Sequence, residues 1–254
     1  MFYFEYPVFE HKNLLKKTML DQLRDYPMEK DRLLYENWGD GILNGIDITW
    51  ENDLLTVTPG LLLHEGKLYR MNESCSFPCQ HKDRLTWILV RFVAMDYARD
   101  RRGGMGEICL SEEEPKKGEM ELGRFRLQEG ARLRTSYENF EDYRTQFDTV
   151  NRIQVPYTCS DGAGLWPRML CVFAEELLTT GTKNPVDINF AMQMMANGGK
   201  TTSRLVRWFV EKNLAQTNGD NQTLYAGLYH ILKERRSGGV RMENETGRRQ
   251  MVLL

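Results

Sequence analysis

The chain has 254 residues and a formal net charge of −2, and 28% of its residues are charged. This balance excludes the basic excess of a general nucleic-acid binder and the acidic excess of a disordered tail. A chain of this length buries roughly 70 to 75% of its unfolded surface, so it needs no disulfide or metal to be stable.

The N-terminus and the cysteines both indicate a cytoplasmic protein. The first ten residues lack the positive n-region of a signal peptide and reach an acidic residue at Glu5. No apolar run approaches the roughly 20 residues of a membrane span. The five cysteines are odd in number and unevenly spaced, which favours a reducing compartment.

The first segment is predicted to be an amphipathic helix that packs against the body of the protein. Apolar residues recur at helical spacing from Leu15 to Tyr26. Pro27 should end this helix, because the residue before a proline is pushed out of the α region. A second short helical turn is predicted for residues 28–35, so residues 1–36 would form an N-terminal helical arm.

Residues 38–72 are predicted to form a compact meander of three or four short strands. Ile46, Ile48 and Trp50 alternate with polar residues, and the same alternation resumes as far as Leu63. The polar members fall on the solvent side or at turns, so none of them looks reactive. Tight turns or corners are expected at Asn52-Asp53 and at Gly39, Gly41, Gly45, Pro59, Gly60 and Gly66, with glycine accepting positive φ after Pro59 and in the Glu65-Gly66 turn.

Three further strands are predicted in this half. A long apolar strand starts at Leu85, Arg101–Gly104 forms a hairpin loop, and residues 107–110 form the return strand. The charged segment 112–117 should be a mobile connection. Another strand is expected at 121–127, with Leu122, Phe125 and Leu127 on its buried side.

Two segments are predicted to link the halves of the chain. Between residues 132 and 151, Tyr137, Phe140, Tyr143 and Phe147 are spaced three, three and four residues apart, which is typical of a helix that docks one apolar face. Residues 156–167 are rich in turn formers and mark the predicted boundary.

After this boundary the pattern is helical. Helices are predicted at 165–178, from Asn184-Pro185 to Gly198-Gly199, after a cap at Thr201, Thr202 or Ser203, and at 222–235. The predicted fold class is therefore α+β, with a β-sandwich-like domain and covering helices followed by a helical bundle. The predicted divisions are an arm (1–36), a β-rich docking domain (37–155), a helical domain (156–236) and a flexible tail (237–254).

The sequence predicts no catalytic residue, no cofactor and no metal, and hence not an enzyme. Cys75, Cys79 and His81 are ligand-type residues, but a zinc site needs a second knuckle that the chain lacks. Residues 198–202 resemble the end of a phosphate-binding loop, yet Met194 stands where its first glycine is required. Small polar-strand cysteines and a helix stop followed by a helix cap are the simpler interpretations.

An alternative function from another class remains open. The helices within residues 184–214 are joined by a glycine-containing turn, and Arg204, Arg207 and Lys212 lie on the second one. A DNA-binding regulator with a helix-turn-helix there and a β-rich N-terminal domain is the alternative hypothesis. Trp208 and Glu211 on the second helix favour a plain bundle.

Three motifs resemble a known family. They are GDGILNGIDI at Gly39–Ile48, VTPG at Val57–Gly60 and EGKLY at Glu65–Tyr69. They are similar to the N-terminal docking region of bacteriophage baseplate and tail-fibre or receptor-binding proteins, and to the shoulder domain of baseplate components in related contractile injection systems. KGEMELGRFRLQEG, at Lys117–Gly130, resembles a strand and turn common in such proteins.

The resemblance implies a structural role in a particle. The partners would be other baseplate or tail proteins, in a homo-oligomer or a hetero-oligomeric ring, with no membrane and no nucleic acid involved. Trp38, Trp50 and Tyr69 are the candidate interface anchors. The implied location is the bacterial cytoplasm, followed by assembly into a virion or a phage-tail-like particle.

Overall fold

The predicted fold class is confirmed, because strands dominate the first part of the chain and helices the last part. The structure, a computed structural model, describes residues 6–12, 14–79, 83–95, 103–214 and 219–249, with side chains as far as Ser237.

One helix precedes the strands and four follow them in the described residues. The strands are β1 (Gly41–Gly45), β2 (Ile48–Glu51), β3 (Leu54–Val57), β4 (Gly60–His64), β5 (Lys67–Met71), β6 (Cys75–Pro78), β7 (Leu85–Met95), β8 (Gly103–Ser111), β9 (Glu119–Arg126), β10 (Tyr157–Cys159) and β11 (Gly162–Gly164). The helices are α1 (Lys17–Leu34), α2 (Pro167–Thr179), α3 (Pro185–Ala196), α4 (Ser203–Leu214) and α5 (Asn221–Arg249).

The strands of the predicted meander are divided between two sheets. The first sheet has the order β11-β10-β1-β4-β5, and the second has the order β2-β3-β6. The single meander was therefore the wrong topology. The chain leaves the first sheet where Gly45 and Ile46 adopt φ of 67° and 58°, and it returns through Thr58 and Pro59.

The two predicted hairpin turns are confirmed. Asn52 and Asp53 have φ of 51° and 61°, and Glu65 and Gly66 have φ of 48° and 68°. Two consecutive residues with positive φ define the turn whose twist matches the right-handed twist of paired strands. These turns fix the register of β2 with β3 and of β4 with β5.

A third sheet places β7 between β8 and β9. The predicted loop at Gly103-Gly104 is wrong, because these two glycines pair with Met95 and Ala94 and extend β8. Arg101 and Arg102 lie outside the described residues. The expected buried side chains of the third strand, Leu122, Phe125 and Leu127, are all buried.

The predicted helix between residues 132 and 151 does not form. Only Glu141–Arg144 is helical, as one short 3-10 turn. Arg134 exchanges main-chain hydrogen bonds with Asp148 and Val150, so this segment pairs with itself across a loop. The carboxylate of Asp142 also accepts from the N–H of Glu138 at 2.9 Å. Such local aspartate bonds compete with a helix.

The turn-rich segment 156–167 does not separate the two halves. It forms β10 and β11, and Tyr157 pairs in parallel with Ile42 of β1. Residues 157–164, which the prediction assigned to the helical half, thus complete the first sheet. Most of the buried apolar side chains in the described residues form one cluster that extends from Ile42 in β1 to Leu232 in α5.

The predicted helices of the second half are confirmed, with bounds close to those expected. The arm differs, because α1 continues through Pro27 as one helix and none of its side chains is buried. An internal proline costs about 3 kcal/mol by removing one main-chain hydrogen bond. Water can satisfy the freed carbonyl of this exposed helix.

Residues 237–254 are the predicted flexible tail, and their flexibility stays a prediction. The segment from Ser237 continues α5 as far as Arg249, and residues 250–254 lie outside the described part. Gly238 and Gly239 each cost about 1 kcal/mol relative to alanine in a helix. Arginine, methionine and glutamate follow them and are good helix formers.

Candidate functional site

Four motif glycines lie where one stretch of backbone crosses another. A Cβ on Gly45 would collide with the carbonyl oxygen of Pro59, and one on Gly39 would collide with Gly162. A Cβ on Gly41 would lie 2.6 Å from the carbonyl oxygen of Pro156. Glycine is required at such crossings because any side chain would force the two backbones apart.

Gly60 belongs to the same group, but for another reason than predicted. It is not among the glycines with positive φ and is simply the first residue of β4. A Cβ there would lie 2.5 Å from the carbonyl oxygen of Asn44. Gly66, by contrast, has φ of 68° and open space around it. Glycine is therefore required at the predicted Pro59-Gly60 corner because two backbone segments approach closely there. At Gly66, glycine is favoured only because the turn needs positive φ.

An aromatic cluster lies where the first and third sheets face each other. The ring of His64 stacks on Phe92 at 3.8 Å between centroids, and Tyr69 meets the edge of Phe92 at 4.9 Å. A Cβ on Gly104 would lie 2.7 Å from the hydroxyl oxygen of Tyr69, so this glycine leaves space for the tyrosine. The candidate anchor Tyr69 thus belongs to an aromatic cluster shared by two sheets.

His64 is fixed by a contact within the first motif. Its Nδ1 lies 2.7 Å from a carboxylate oxygen of Asp40, and the other oxygen of Asp40 accepts from the N–H of Glu65 at 2.8 Å. Asp40 stands between Gly39 and Gly41, so the glycine-rich corner also orients the aromatic cluster.

Beside this cluster lies an open groove of about 1350 Å³. Its floor is apolar, and α1 lies along its mouth. Lys67 and Arg70 stand on the β5 side, whereas Asp25, Glu29 and Asp31 stand on the α1 side. Small-molecule sites typically measure about 300 to 1,000 Å³, so this open groove is larger than a typical small-molecule site. The floor includes Leu62, Val90, Phe92, Ile108 and Leu122.

The structure does not bring the three predicted anchors together. Trp38 is half-buried, packs edge-on against Tyr35 at 5.2 Å, and lines a separate cavity of about 250 Å³. Trp50 is half-buried on β2 in the second sheet, and its indole nitrogen has no hydrogen-bond partner among the described residues. Only Tyr69 faces the large groove.

The second cavity contains the segment that resembles a phosphate loop. Gly198 and Gly199 end α3 with φ of 58° and 75°. The first N–H groups of α4, from Ser203 and Arg204, both donate to the carboxylate of Asp161 at 2.8 Å. The helix terminus that would bind a phosphate is thus already occupied by a carboxylate of the chain itself.

A buried guanidinium lies near the meeting point of the two halves. Arg152 lies over Trp166 at 4.5 Å and over Tyr157 at 5.5 Å, and it donates to the carbonyl oxygen of Ile46 at 2.9 Å. Its Nε and the hydroxyl of Tyr157 have no partner among the described residues. Burial raises the pKa of Tyr157, so the hydroxyl stays protonated.

The five cysteines are free thiols, and four of them lie where burial disfavours the thiolate. Burial raises the pKa of Cys79 to about 11, and it also raises the pKa of Cys109, Cys159 and Cys171. A nucleophilic cysteine needs a lowered pKa instead. His81 lies outside the described residues, which contain no group of three metal-ligand side chains.

The helix pair of the alternative hypothesis packs through aromatic rings. Phe190 of α3 stacks on Phe209 of α4 at 4.0 Å. Arg207 donates to the carbonyl oxygen of Gly219 at 2.7 Å, which leaves Arg204 and Lys212 as the exposed basic residues of α4. The geometry adds nothing that favours DNA binding, and the regulator stays an untested alternative.

The sequence interpretation missed the apolar residues around the groove. Val93 and Met105 face it and are nearly half exposed. Val93 was hidden within a long apolar strand, and Met105 was taken for part of a hairpin connection. Residues 93–95 continue the apolar run of β7 without alternation, so the sequence contained no signal that Val93 would be exposed.

No protein-family model and no curated protein matches the chain. Among solved structures, the chain is similar to a crystal structure of TssK, with a TM-score of 0.39 and 10% identity over 92% of this chain and 72% of that one. It is also similar to a chain of the TssK-TssF-TssG baseplate subcomplex of the type VI secretion system, seen by cryo-electron microscopy. That match has a TM-score of 0.40 and 9% identity over 91% of this chain and 100% of that one. At these scores the likenesses do not bear on function.

None of the helices in the described residues combines the length and apolar character that crossing a membrane requires.

Proposed function

We propose that this chain is a non-enzymatic structural subunit of a phage tail or a phage-tail-like contractile baseplate. It would serve as an adaptor, a wedge component or a fibre-docking component. Its partners would be other baseplate proteins, and it would be made in the bacterial cytoplasm before it joins the particle. The β-rich half would form the docking platform, and the helical half would support it through the shared core.

One observation carries this proposal. The glycines of the motifs that resemble docking domains lie at backbone crossings, where Gly39 meets Gly162, Gly41 meets Pro156 and Gly45 meets Pro59. Residues at such positions determine how closely two backbone segments approach, and so they set the shape of the platform. The same corner orients His64 and so shapes the wall of the apolar groove.

The exposed surface around this platform supports a role in protein contacts. The groove combines an apolar floor with charged rims, which is the usual arrangement of a protein interface. The four cysteines with raised pKa values are unsuited to nucleophilic catalysis.

The test compares two glycines with nearly the same φ in cells that produce the particle. Gly45→Val should abolish particle assembly, because the new side chain collides with Pro59. Gly66→Val is the matched control, since its φ of 68° is almost equal to the 67° of Gly45 but its surroundings are open. Particles are counted by electron microscopy in cells that lack the natural gene copy.

The proposal predicts complete particles with the Gly66 variant and unassembled or baseplate-free tubes with the Gly45 variant. Deleting the whole gene should reproduce the Gly45 defect. Normal particle numbers in the deleted strain would overturn the proposal, since a required structural subunit cannot be dispensable.

A further inference from the structure

Helix α1 (Lys17–Leu34) exposes an apolar stripe with a seven-residue repeat. The apolar pairs Met19-Leu20, Tyr26-Pro27 and Leu33-Leu34 stand seven residues apart, and Leu23 lies between the first two pairs. These positions share one face of a helix, and their spacing is the one by which two helices pack side by side. Five large side chains of the stripe are between 49% and 62% exposed. They are Leu20, Leu23, Tyr26, Leu33 and Leu34.

The stripe lies on the side of α1 that does not contribute to the large groove. The α1 residues that line the groove are Asp25, Met28, Glu29, Asp31 and Arg32, and no stripe residue is among them. With 3.6 residues per turn, Asp25, Glu29 and Arg32 lie on the opposite side of the helix from the stripe. The described residues of the chain therefore leave the stripe uncovered.

Helix α1 needs a covering surface to be stable. None of its side chains is buried, and Pro27 inside it removes one main-chain hydrogen bond. Most of the stability of a protein helix comes from the packing of its apolar face, and short isolated helices are marginal in water. The stripe is therefore the part of α1 that we expect to contact a partner.

The stripe has the apolar area that one half of a stable dimer interface needs. A half-exposed leucine or tyrosine leaves on the order of 100 Å² in water, so the exposed side chains of the stripe offer about 500 Å². Stable interfaces bury about 800 Å² on each partner, and about 65% of a homodimer interface is apolar. That share is also about 500 Å².

The charges of α1 are compatible with a second copy and not with a lipid surface. Helix α1 has four basic and four acidic residues and therefore no net charge, so two copies of it do not repel each other. Lys30 lies within the stripe. The charged residues outside the stripe are Lys17, Asp21, Arg24, Asp25, Glu29, Asp31 and Arg32. Helices that bind anionic membranes have a strongly basic polar face instead.

We propose that α1 of one copy pairs antiparallel with α1 of a second copy, with Leu23 of each helix opposite Tyr26 of the other. This register aligns the two helices along their whole length and places Met19 of each beside Lys30 of the other. Both copies use the same stripe, so the pair has twofold symmetry and closes as a dimer. A second copy fits because it supplies a helix with the same spacing and the same apolar area.

Lys30 determines the direction of the pair. In a parallel pair the two Lys30 side chains would face each other across the stripe, and like charges in that position repel. In the antiparallel pair, the rise of 1.5 Å per residue separates them by roughly 16 Å along the axis. This distance exceeds the screening length of about 8 Å at physiological ionic strength. The stem of Lys30 can then cover the methionine while its ammonium stays in water near Asp31, which it meets at 3.5 Å.

This inference deepens the proposed assembly role and rests on it for its biological setting. A twofold pair would carry two docking platforms into the particle as one unit. Its test needs only the purified full chain and is independent of particle counts. A dimer in solution together with normal particles in the strain that lacks the gene would support this inference and overturn the proposed function.

The first test compares two matched substitutions at exposed residues of α1. Leu23→Glu places a charge at the centre of the stripe. Met28→Glu is the control, because Met28 is 67% exposed on the same helix but lies outside the stripe. Sedimentation equilibrium measures the dissociation constant of the dimer, and circular dichroism confirms that each variant is folded.

The wild type and Met28→Glu should be dimers with similar dissociation constants. Leu23→Glu should raise the dissociation constant by at least about tenfold, because dimerisation would bury an unpaired carboxylate. A monomeric wild type, an unchanged constant for Leu23→Glu or an equal rise for Met28→Glu would overturn the proposal. A monomeric wild type that binds anionic vesicles would assign the stripe to a lipid surface and would equally overturn it.

The second test measures the direction of the pair. Met19→Glu and Met19→Lys remove the same apolar contact, but they place opposite charges beside Lys30 of the other copy. Met19→Glu should dimerise more tightly than Met19→Lys, by about tenfold over the two symmetric contacts. In a Lys30→Glu background the order should reverse, which separates this contact from the effect of charge on the helix terminus. In a parallel pair, residue 19 of each copy would face residue 19 of the other. Equal constants, or the same order in both backgrounds, would therefore overturn the antiparallel pair.

Discussion

Arg152 donates from its guanidinium to the carbonyl oxygen of Ile46 at 2.9 Å, across 106 residues of sequence. Ile46 has φ of 58°, a conformation that a β-branched residue rarely adopts. It is also the residue at which the chain leaves the first sheet for the second. The buried arginine thus supports a strained backbone at the corner that the glycine motif builds.

Replacing Arg152 by alanine should destabilise the fold by about 3 kcal/mol, because the change leaves a cavity and removes the support of the strained corner. Urea unfolding followed by circular dichroism measures this loss. Arg168 is the control, since it also lies over Trp166, at 5.9 Å, but is exposed. Arg168→Ala should change stability by less than about 0.5 kcal/mol, and equal losses for both variants would refute the assigned role.

Two glycines with nearly the same φ should respond differently to alanine. Gly66→Ala should cost only the conformational penalty of positive φ, about 1 kcal/mol. Gly45→Ala adds a collision with the carbonyl oxygen of Pro59 and should cost at least about 2 kcal/mol more. Urea midpoints of the two purified variants test this. Similar midpoints would show that the backbone segments at Gly45 and Pro59 can move apart at little cost in free energy.

The local features of the fold could be predicted from the sequence because they depend on local chemistry. The turns at Asn52-Asp53 and Glu65-Gly66, the cap at Asn184 and the helix stop at Gly198-Gly199 each follow from one or two residues. The pairing of strands could not be predicted in the same way. Alternation predicts a strand but does not say which sheet it joins, so the division of the meander was missed.

Pairing between distant segments explains the other errors. Tyr157 joins Ile42 through a parallel pair, and nothing in the turn-rich composition of residues 156–167 indicates this partner. The aromatic spacing from Tyr137 to Phe147 matched a helix, yet Phe140 instead stacks on Tyr225 at 4.8 Å. Phe140 and Tyr143 are buried as the aromatic spacing predicted, but Phe147 is exposed, so the spacing indicated neither the backbone nor all of the buried positions.

Part of the candidate site could be predicted as well. The motif glycines were predicted to be turn positions, and the structure places four of them at backbone crossings and Gly66 in a hairpin turn. Tyr69 was predicted to be an interface anchor, and it lines the groove. Trp38 and Trp50 do not line the groove. They were selected for size and aromatic character, and these properties do not indicate which face of the fold a side chain occupies. The groove itself arises from two sheets and α1, which are separated by tens of residues, so no local pattern contains it.

The stability of α4 should depend on pH through Asp161. Burial by itself would raise the pKa of this carboxyl, but hydrogen bonds from the N–H groups of Arg204 and Ser203 outweigh burial, so its pKa lies below the ordinary value. A lowered pKa in the folded state adds stability above the unfolded value of about 3.9, and this stability is lost as the pH falls through the folded value.

Asp161→Asn should therefore lower stability by about 1 kcal/mol at neutral pH, since it removes a charged helix cap. The difference from the wild type should begin to shrink below about pH 4, where the unfolded carboxyl becomes protonated, and should be lost once the pH falls past the lowered pKa of the folded carboxyl. Urea unfolding of both proteins at neutral pH and near pH 3 tests this. A difference that is equal at both pH values would contradict the assignment.

The ion pair between Asp187 and Arg235 should contribute far more to the free energy of unfolding than the exposed ion pairs of α1. Asp187 is fully buried and accepts from Arg235 at 2.6 Å and from Thr182 at 2.9 Å. Asp187→Asn leaves a guanidinium without its counter-charge and should cost about 3 kcal/mol. Glu29→Gln breaks an exposed pair with Arg32 and should cost less than about 0.5 kcal/mol. Thermal unfolding of the two variants measures the contrast, and a similar shift in both would refute it.

The most direct test of the assembly role is to locate this chain in intact particles. A small tag is placed after the final residue, the particles are purified from the cells that make them, and the tag is labelled and imaged by electron microscopy. We expect the label at the baseplate end of each particle, with the chain in a fixed integer ratio to the other baseplate proteins by quantitative mass spectrometry. Complete particles that contain no trace of the chain, in cells where the tagged protein is folded and abundant, would contradict the proposed function.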